Sequence, residues 1–147
     1  MTNAEILQIF SGFIGTLAFC VLFNIRGIRL VFTAIGGFIS WLMVVLLSYI
    51  IVSEPINYFI VAFFISIYAE IMARVIKTPT TTFVTTALIP LIPGGSLYYT
   101  MRYAFDSNFE RFFEKAIYTL QLAAALALGI IIATTATRIF FNIKAKN

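Results

Sequence analysis

Residues 78–101 read TPTTTFVTTALIPLIPGGSLYYTM. The stretch is uncharged for 24 residues. That is long enough to cross a bilayer, whose hydrocarbon core of about 30 Å takes roughly 20 helical residues. It cannot be one helix, however. Pro90 and Pro93 each remove a backbone donor and press on the preceding turn, and Gly94 and Gly95 follow at once. The pattern predicts a half-helix over 80–88, irregular backbone over 89–95, and a second half-helix starting near 96 with Ser96 as its N-cap. Irregular backbone at membrane depth survives only against protein or a wet cavity, because each unpaired group in hydrocarbon costs several kcal/mol.

Working outward, charge is also absent from 6–25, 30–53, 55–69 and 116–137. Three of these runs reach 20, 24 and 22 residues, while the 15-residue run 55–69 attains spanning length only by taking in Glu70. The composition agrees: 61% apolar, 16% aromatic and 11% charged, against about a quarter charged in a soluble domain. A soluble globule of this size would leave much of that apolar excess in water. The expected fold is an all-α integral membrane protein, one transmembrane domain over 1–147. It has about five transmembrane helices, the fourth discontinuous from Pro90 to Gly95. The first run reads as a retained span, since no basic stretch precedes it and no small-residue cleavage pattern follows. Charge returns over 102–115, where Phe105, Phe109, Phe112 and Phe113 recur at helical spacing. This predicts a short interfacial helix near 103–114, with a solvated linker carrying aromatic anchors as the plainer alternative. Gly12, Gly15, Gly36, Gly37 and Ser40, and Ala123, Ala127, Gly129 and Ala133 in the last span, permit close helix approach. Trp41 lies well inside the second run, so its indole N–H is expected to find a neighbour.

Five crossings put the termini on opposite sides. Arg26, Arg29, Arg74, Lys77, Arg138, Lys144 and Lys146 then share one side, and Arg102, Arg111 and Lys115 the other. The positive-inside rule makes this a multi-pass protein of the cell (inner) membrane, N-terminus outside and C-terminus cytoplasmic. A re-entrant 80–101 would instead leave four spans and an external C-terminus.

Several function classes fall. The sequence has no histidine and a single cysteine, Cys20, which excludes His/Cys metal sites, redox pairs and internal disulfides. No metal and no cofactor is expected. Without histidine, and with few carboxylates, no nucleophile–base pair can be assembled, so an enzyme is not expected. The net charge of +4 comes from residues flanking apolar runs, which offers no patch for nucleic acid.

What remains is the break. The second half-helix would present free N–H groups of residues 96–98 and its positive dipole end, an anion site suited to a substrate carboxylate. Transporters build substrate sites at such discontinuities. Candidate binding residues are Pro90, Pro93, Gly94, Gly95, Ser96, Tyr99 and Thr100. A kink used only for packing is the plainer reading. Glu70 and Arg74, four apart on one helical face, form the other candidate. Glu70 could pair structurally with Arg74, carry a coupling proton, or lie near the interface and bind little.

These residues also carry a family likeness. Glu70-Ile71-Met72-Ala73-Arg74 with Pro79, followed by Ile89-Pro90-Leu91-Ile92-Pro93-Gly94-Gly95-Ser96-Leu97-Tyr98-Tyr99-Thr100-Met101, resembles the small-subunit type of the threonine/serine exporter family. Phe19, Leu22-Phe23-Asn24, Gly36-Gly37 and Trp41 are similar to that family's N-terminal portion. Members often carry Pro-Gly where this chain has Thr86-Ala87, and a proline after Asn24 that is missing here. The resemblance implies a half-transporter, similar to the C-terminal half of the longer single-chain exporters. It would work with a larger membrane subunit of the same superfamily in the lipid bilayer. The substrate it implies is a small carboxylate, either threonine or serine or a dicarboxylate such as succinate. Export driven by the proton gradient, as in an antiporter, would make Glu70 the candidate coupling residue. An accessory subunit whose partner holds the substrate site, and a channel-like homo-oligomer, remain open alternatives.

Overall fold

The computed structural model describes residues 2–146, and all regular structure among them is helical. Helix α1 (Asn3–Leu22) opens on a capping box: the Glu5 N–H donates to the Thr2 hydroxyl at 3.4 Å, and the Thr2 N–H to the Glu5 carboxylate at 2.7 Å. The chain then reverses through Asn24 and Gly27, both at positive φ, into α2 (Ile28–Ser48). Pro55 occupies the first turn of α3 (Glu54–Val75), where its missing N–H costs nothing. Lys77, also at positive φ, closes that helix.

The sequence 78–101 breaks as its prolines dictate. Helix α4 (Thr80–Ala87) gives way to a 3-10 turn at Ile89–Leu91, and α5 (Gly94–Phe105) starts afresh. Leu91 and Ile92 donate to Leu88 and Ile89, three residues back, so the chain tightens where the prolines forbid α-helical bonding. Helix α5 begins two residues earlier than expected, with Pro93 at its N-cap position and no side-chain cap. Ser96 is therefore not the N-cap but lies inside the first turn.

A second expectation is corrected. Residues 103–114 do not form a separate surface helix. Residues 103–105 end α5, a turn through Ser107 follows at positive φ, and Phe109 opens α6 (Phe109–Lys146). Asn108 accepts from the Arg111 N–H at 3.3 Å and so caps α6. Phe109, Phe112 and Phe113 recur at helical spacing because they open this 38-residue helix, about 57 Å long, while Phe105 ends α5.

Helices α1, α2, α3 and α6 are each long and apolar enough to cross a membrane. Successive helices α1, α2 and α3 are antiparallel. Gly12 meets Trp41 and Gly37 meets Thr16 between the first two; Asn57 Nδ2 donates to the Val44 carbonyl at 2.9 Å and the Tyr68 hydroxyl to that of Phe32 at 2.8 Å between the next two. A Cβ on Gly37 would overlap the Thr16 side chain, so glycine sets that spacing. Just past the end of α2, the Tyr49 hydroxyl donates to Glu5 in the first turn of α1 at 2.6 Å, which holds the phenol above its ordinary pKa.

Helices α3 and α6 run parallel. Pro55 and Phe59 lie by Ala125 and Leu128, Gly129 packs on Phe59 and Ala62, and Ile67 and Ile71 lie by Ala136 and Phe140. A Cβ on Gly129 would come within 2.7 Å of the Phe59 carbonyl oxygen. Parallel neighbours force the chain between them to travel the whole way back. The broken segment does so, antiparallel to α3. Phe83 packs on Ala69 and Ala73, and the core of Val61, Ala62, Ile65, Ala87, Leu88, Leu91 and Leu122 forms further along. The broken segment thus returns along the bundle between two parallel helices. Past the bundle it continues as an α5–α6 hairpin, in which the Arg111 guanidinium stands 5.9 Å from the Tyr103 ring.

Candidate functional site

The break faces a cavity of about 420 Å³. Pro90, Pro93, Gly94, Gly95, Ser96 and Tyr99, singled out in the sequence, all line it. Pro90 and Trp41 both stand beside Gly12 of α1, and Gly94 and Gly95 supply open floor. A Cβ on Gly94 or Gly95 would meet nothing within 4 Å. The N–H groups of Gly95 and Ser96 make no hydrogen bond among the described residues, while Leu97 already donates to Pro93. The bare donors are therefore 95 and 96, not 96–98. They point along the positive end of a 12-residue helix, which favours an anion.

Thr100 is not part of this lining. Its hydroxyl donates to the Ser96 carbonyl at 2.9 Å and lies 3.2 Å from the Thr119 hydroxyl. The Ser96 hydroxyl is 2.7 Å from the same Thr119 oxygen. These contacts fasten α5 to α6 and fix the floor of the cavity.

The sequence alone did not mark the charged walls. Glu54, from the first turn of α3, and Lys115, from α6, both line the cavity, together with Tyr58, Tyr118 and Leu122. Neither Glu54 nor Lys115 forms an ion pair among the described residues. The Lys115 ammonium instead stands 5.4 Å from the Tyr118 ring. Trp41 was expected to satisfy its indole N–H on a neighbour, yet Nε1 is buried without a hydrogen-bond partner. In the sequence Glu54 reads as a turn marker and Lys115 as one charge of a connecting stretch. Only the parallel packing of α3 and α6 brings them to one cavity, and no local pattern encodes that.

Glu70 and Arg74 stand elsewhere. Glu70 lies 16 residues along α3 from Glu54, about 24 Å by helical rise. It is 3% exposed, and its Oε2 accepts from Arg74 Nη2 at 3.4 Å. The Arg74 guanidinium also covers the Phe141 ring at 3.9 Å, which ties α3 to the far part of α6. The pair is formed and shares no wall with the cavity at the break.

The arrangement can hold a small solute by an anionic end at the N–H groups of 95 and 96 and at Lys115, and by a cationic end at Glu54. Among the described residues no group of three or more acidic, histidine or cysteine side chains could hold a metal ion. No curated protein and no solved structure gives a match to the chain. The sequence profile described as "Threonine/Serine exporter, ThrE" matches residues 8–136, most of the chain and all of the cavity lining. This multi-pass helical membrane protein, built for transport and not for catalysis, belongs to the threonine/serine exporter family.

Proposed function

We propose that the chain is one subunit of a two-component secondary exporter for small amino acids, the small-subunit counterpart of the C-terminal half of a single-chain exporter. The observation that carries the substrate class is the pair of opposite, mutually unbonded charges in one cavity, Glu54 and Lys115. A zwitterion such as threonine or serine matches one cation and one anion. A dicarboxylate such as succinate would set one of its carboxylates against Glu54, and like charges brought together cost several kcal/mol. The substrate carboxylate binds at the Gly95 and Ser96 N–H groups with Lys115. Tyr99 contributes a hydroxyl.

A larger subunit of the same superfamily completes the transporter. The membrane windows of α1 and α6 are each only 17% buried, which leaves two apolar faces for further helices. The seven-to-three division of basic residues supports the N-terminus outside and the C-terminus in the cytoplasm. That orientation opens the charged cavity outward. Coupling to the proton gradient falls to Glu70, the buried carboxylate of the bundle.

Efflux of labelled threonine, serine and succinate from cells expressing this chain with its larger partner, and from cells expressing either alone, tests the reading. Threonine and serine leave only when both subunits are present, and a protonophore stops the uphill component. Succinate export in preference to threonine overturns the substrate class. Variants at 93–99 that lower complex yield but leave substrate preference intact would assign the chain an assembly role instead.

A further inference from the structure

The broken segment borders a second cavity, mostly apolar in its lining, at the opposite end of the bundle from the first. It holds about 250 Å³ and is lined by Phe23, Ile25, Thr81, Thr82, Thr85 and Thr86. Its hydroxyls, like those of Thr80 and Thr135, make none of the bonds back to their own helix that six other threonines make. Thr16, Thr33, Thr100, Thr119, Thr134 and Thr137 each turn the hydroxyl back to the carbonyl four residues earlier, at 2.7 to 2.9 Å. Thr85 and Thr86 have such carbonyls within α4, at Thr81 and Thr82, and do not use them. Among the described residues none of the four cavity threonines makes a side-chain hydrogen bond. Thr86 is 1% exposed, and its buried Oγ1 has no partner. A buried hydroxyl left unpaired costs about 1–3 kcal/mol. Thr86 thus places an unpaired buried hydroxyl on this wall, beside the exposed Thr81 and Thr85 and the half-buried Thr82.

Between the two cavities stand Ala87, Leu88 and Leu91, all apolar and at most 7% exposed. The same broken segment thus presents hydroxyls on one side of an apolar barrier and charged groups on the other. We infer that Thr81, Thr82, Thr85 and Thr86 form a second binding station for the transported hydroxy amino acid, on the side of Arg26 and Arg29, with Ala87, Leu88 and Leu91 as the barrier between stations. The inference rests on the reading of the first cavity as the substrate site. A volume of 250 Å³ equals about eight waters at roughly 30 Å³ each, enough for one small amino acid. Threonine hydroxyls donate and accept, so they replace water around a hydroxyl, an ammonium or a carboxylate without a fixed charge. A station of this kind holds its solute loosely, as a path requires wherever the solute must also leave. It also distinguishes threonine from valine, which has the same shape but offers a methyl group where threonine offers the hydroxyl.

Cys20, the single cysteine, is fully buried, so an introduced thiol reports by itself. Thr85→Cys and Gly95→Cys are labelled with an impermeant maleimide in membrane vesicles of both orientations, with or without L-threonine or L-valine. The expected result is labelling from opposite sides, with both thiols protected by L-threonine and Thr85→Cys unprotected by L-valine. Protection of Gly95→Cys alone overturns the second station and leaves the first standing. Protection of Thr85→Cys alone supports the hydroxyl station and overturns the charged cavity as substrate site. Protection of neither overturns both. Adding Thr86→Val to Thr85→Cys should raise the threonine concentration for half-protection about tenfold, whereas Thr86→Ser should change it less than about twofold. An unchanged value in Thr86→Val overturns the part given to that hydroxyl. Thr82→Val supplies the same reading if Thr86→Val fails to reach the membrane.

Discussion

Two couples of opposite charge lie on the same helix bundle and have opposite fates. Glu70 and Arg74 sit one turn apart on α3, bonded at 3.4 Å, with the arginine laid over Phe141. Glu54 and Lys115 come from different helices, border one cavity of about 420 Å³, and are not bonded to each other. Each couple sets a glutamate against a basic residue, so the signs of charge do not explain the difference; backbone geometry does. An i,i+4 spacing brings a carboxylate and a guanidinium together on any helix. The other couple depends on where α3 and α6 are held, and the close approach of Gly129 to the Phe59 carbonyl holds them. A pair closed on itself has spent its field on its own members, while charges kept apart across a cavity retain theirs for a ligand.

The largest effect should come from the open couple. Lys115→Ala should lower threonine efflux about 30–100-fold, the equivalent of one charge-assisted hydrogen bond to the substrate, with normal yield of protein in the membrane. The exchange Glu54→Lys with Lys115→Glu returns both charges to the cavity and should recover part of the loss. An exchange variant no better than Lys115→Ala would break the comparison, because the charges would then be acting on something other than a shared ligand.

The closed couple should respond in stability, and asymmetrically. Arg74→Ala leaves the Glu70 carboxylate buried with no partner and should cost about 2–3 kcal/mol. Glu70→Gln removes the buried charge and leaves an arginine whose side chain is 42% exposed, which should cost about 1 kcal/mol or less. Denaturation midpoints in mixed micelles measure both. Threonine exchange should survive Glu70→Gln while gradient-driven export is lost. If exchange falls as far as it does in Lys115→Ala, the two couples share one role.

How far this arrangement was legible in the sequence depends on distance along the chain. The broken segment was legible because Pro90 and Pro93 cannot donate, and the donors they lack lie within four residues. The pair of Glu70 with Arg74 was legible for the same local reason. The start of α5 at Gly94 was missed, since Ser96 has the right side chain for an N-cap but spends its hydroxyl on Thr119, 23 residues away. The helical aromatic pattern near 109 was correct in type and wrong in extent, because the turn at 106–108 cuts Phe105 off and α6 runs on from Phe109 into the last span. Glu54 and Lys115 carried no local signal at all. They meet at one cavity only through the parallel packing of α3 and α6, a long-range fact.

The smallest effect is expected at Gly95, and its smallness sharpens the comparison. Gly95 has no positive φ, and a Cβ there meets nothing within 4 Å. The backbone therefore does not need a glycine at this position. Alanine in the first turn of α5 should leave the denaturation midpoint within about 0.5 kcal/mol of the parent protein, or raise it slightly through helix propensity. At Gly129 the same substitution drives a methyl group to 2.7 Å from a carbonyl oxygen of α3. That strain falls on the helix spacing that keeps Glu54 and Lys115 apart, and should cost about 1–3 kcal/mol. One glycine keeps room for a ligand and the other lets two backbones approach. A Gly95→Ala protein as unstable as Gly129→Ala would place Gly95 in the packing of the fold, and the open floor of the cavity would lose its meaning.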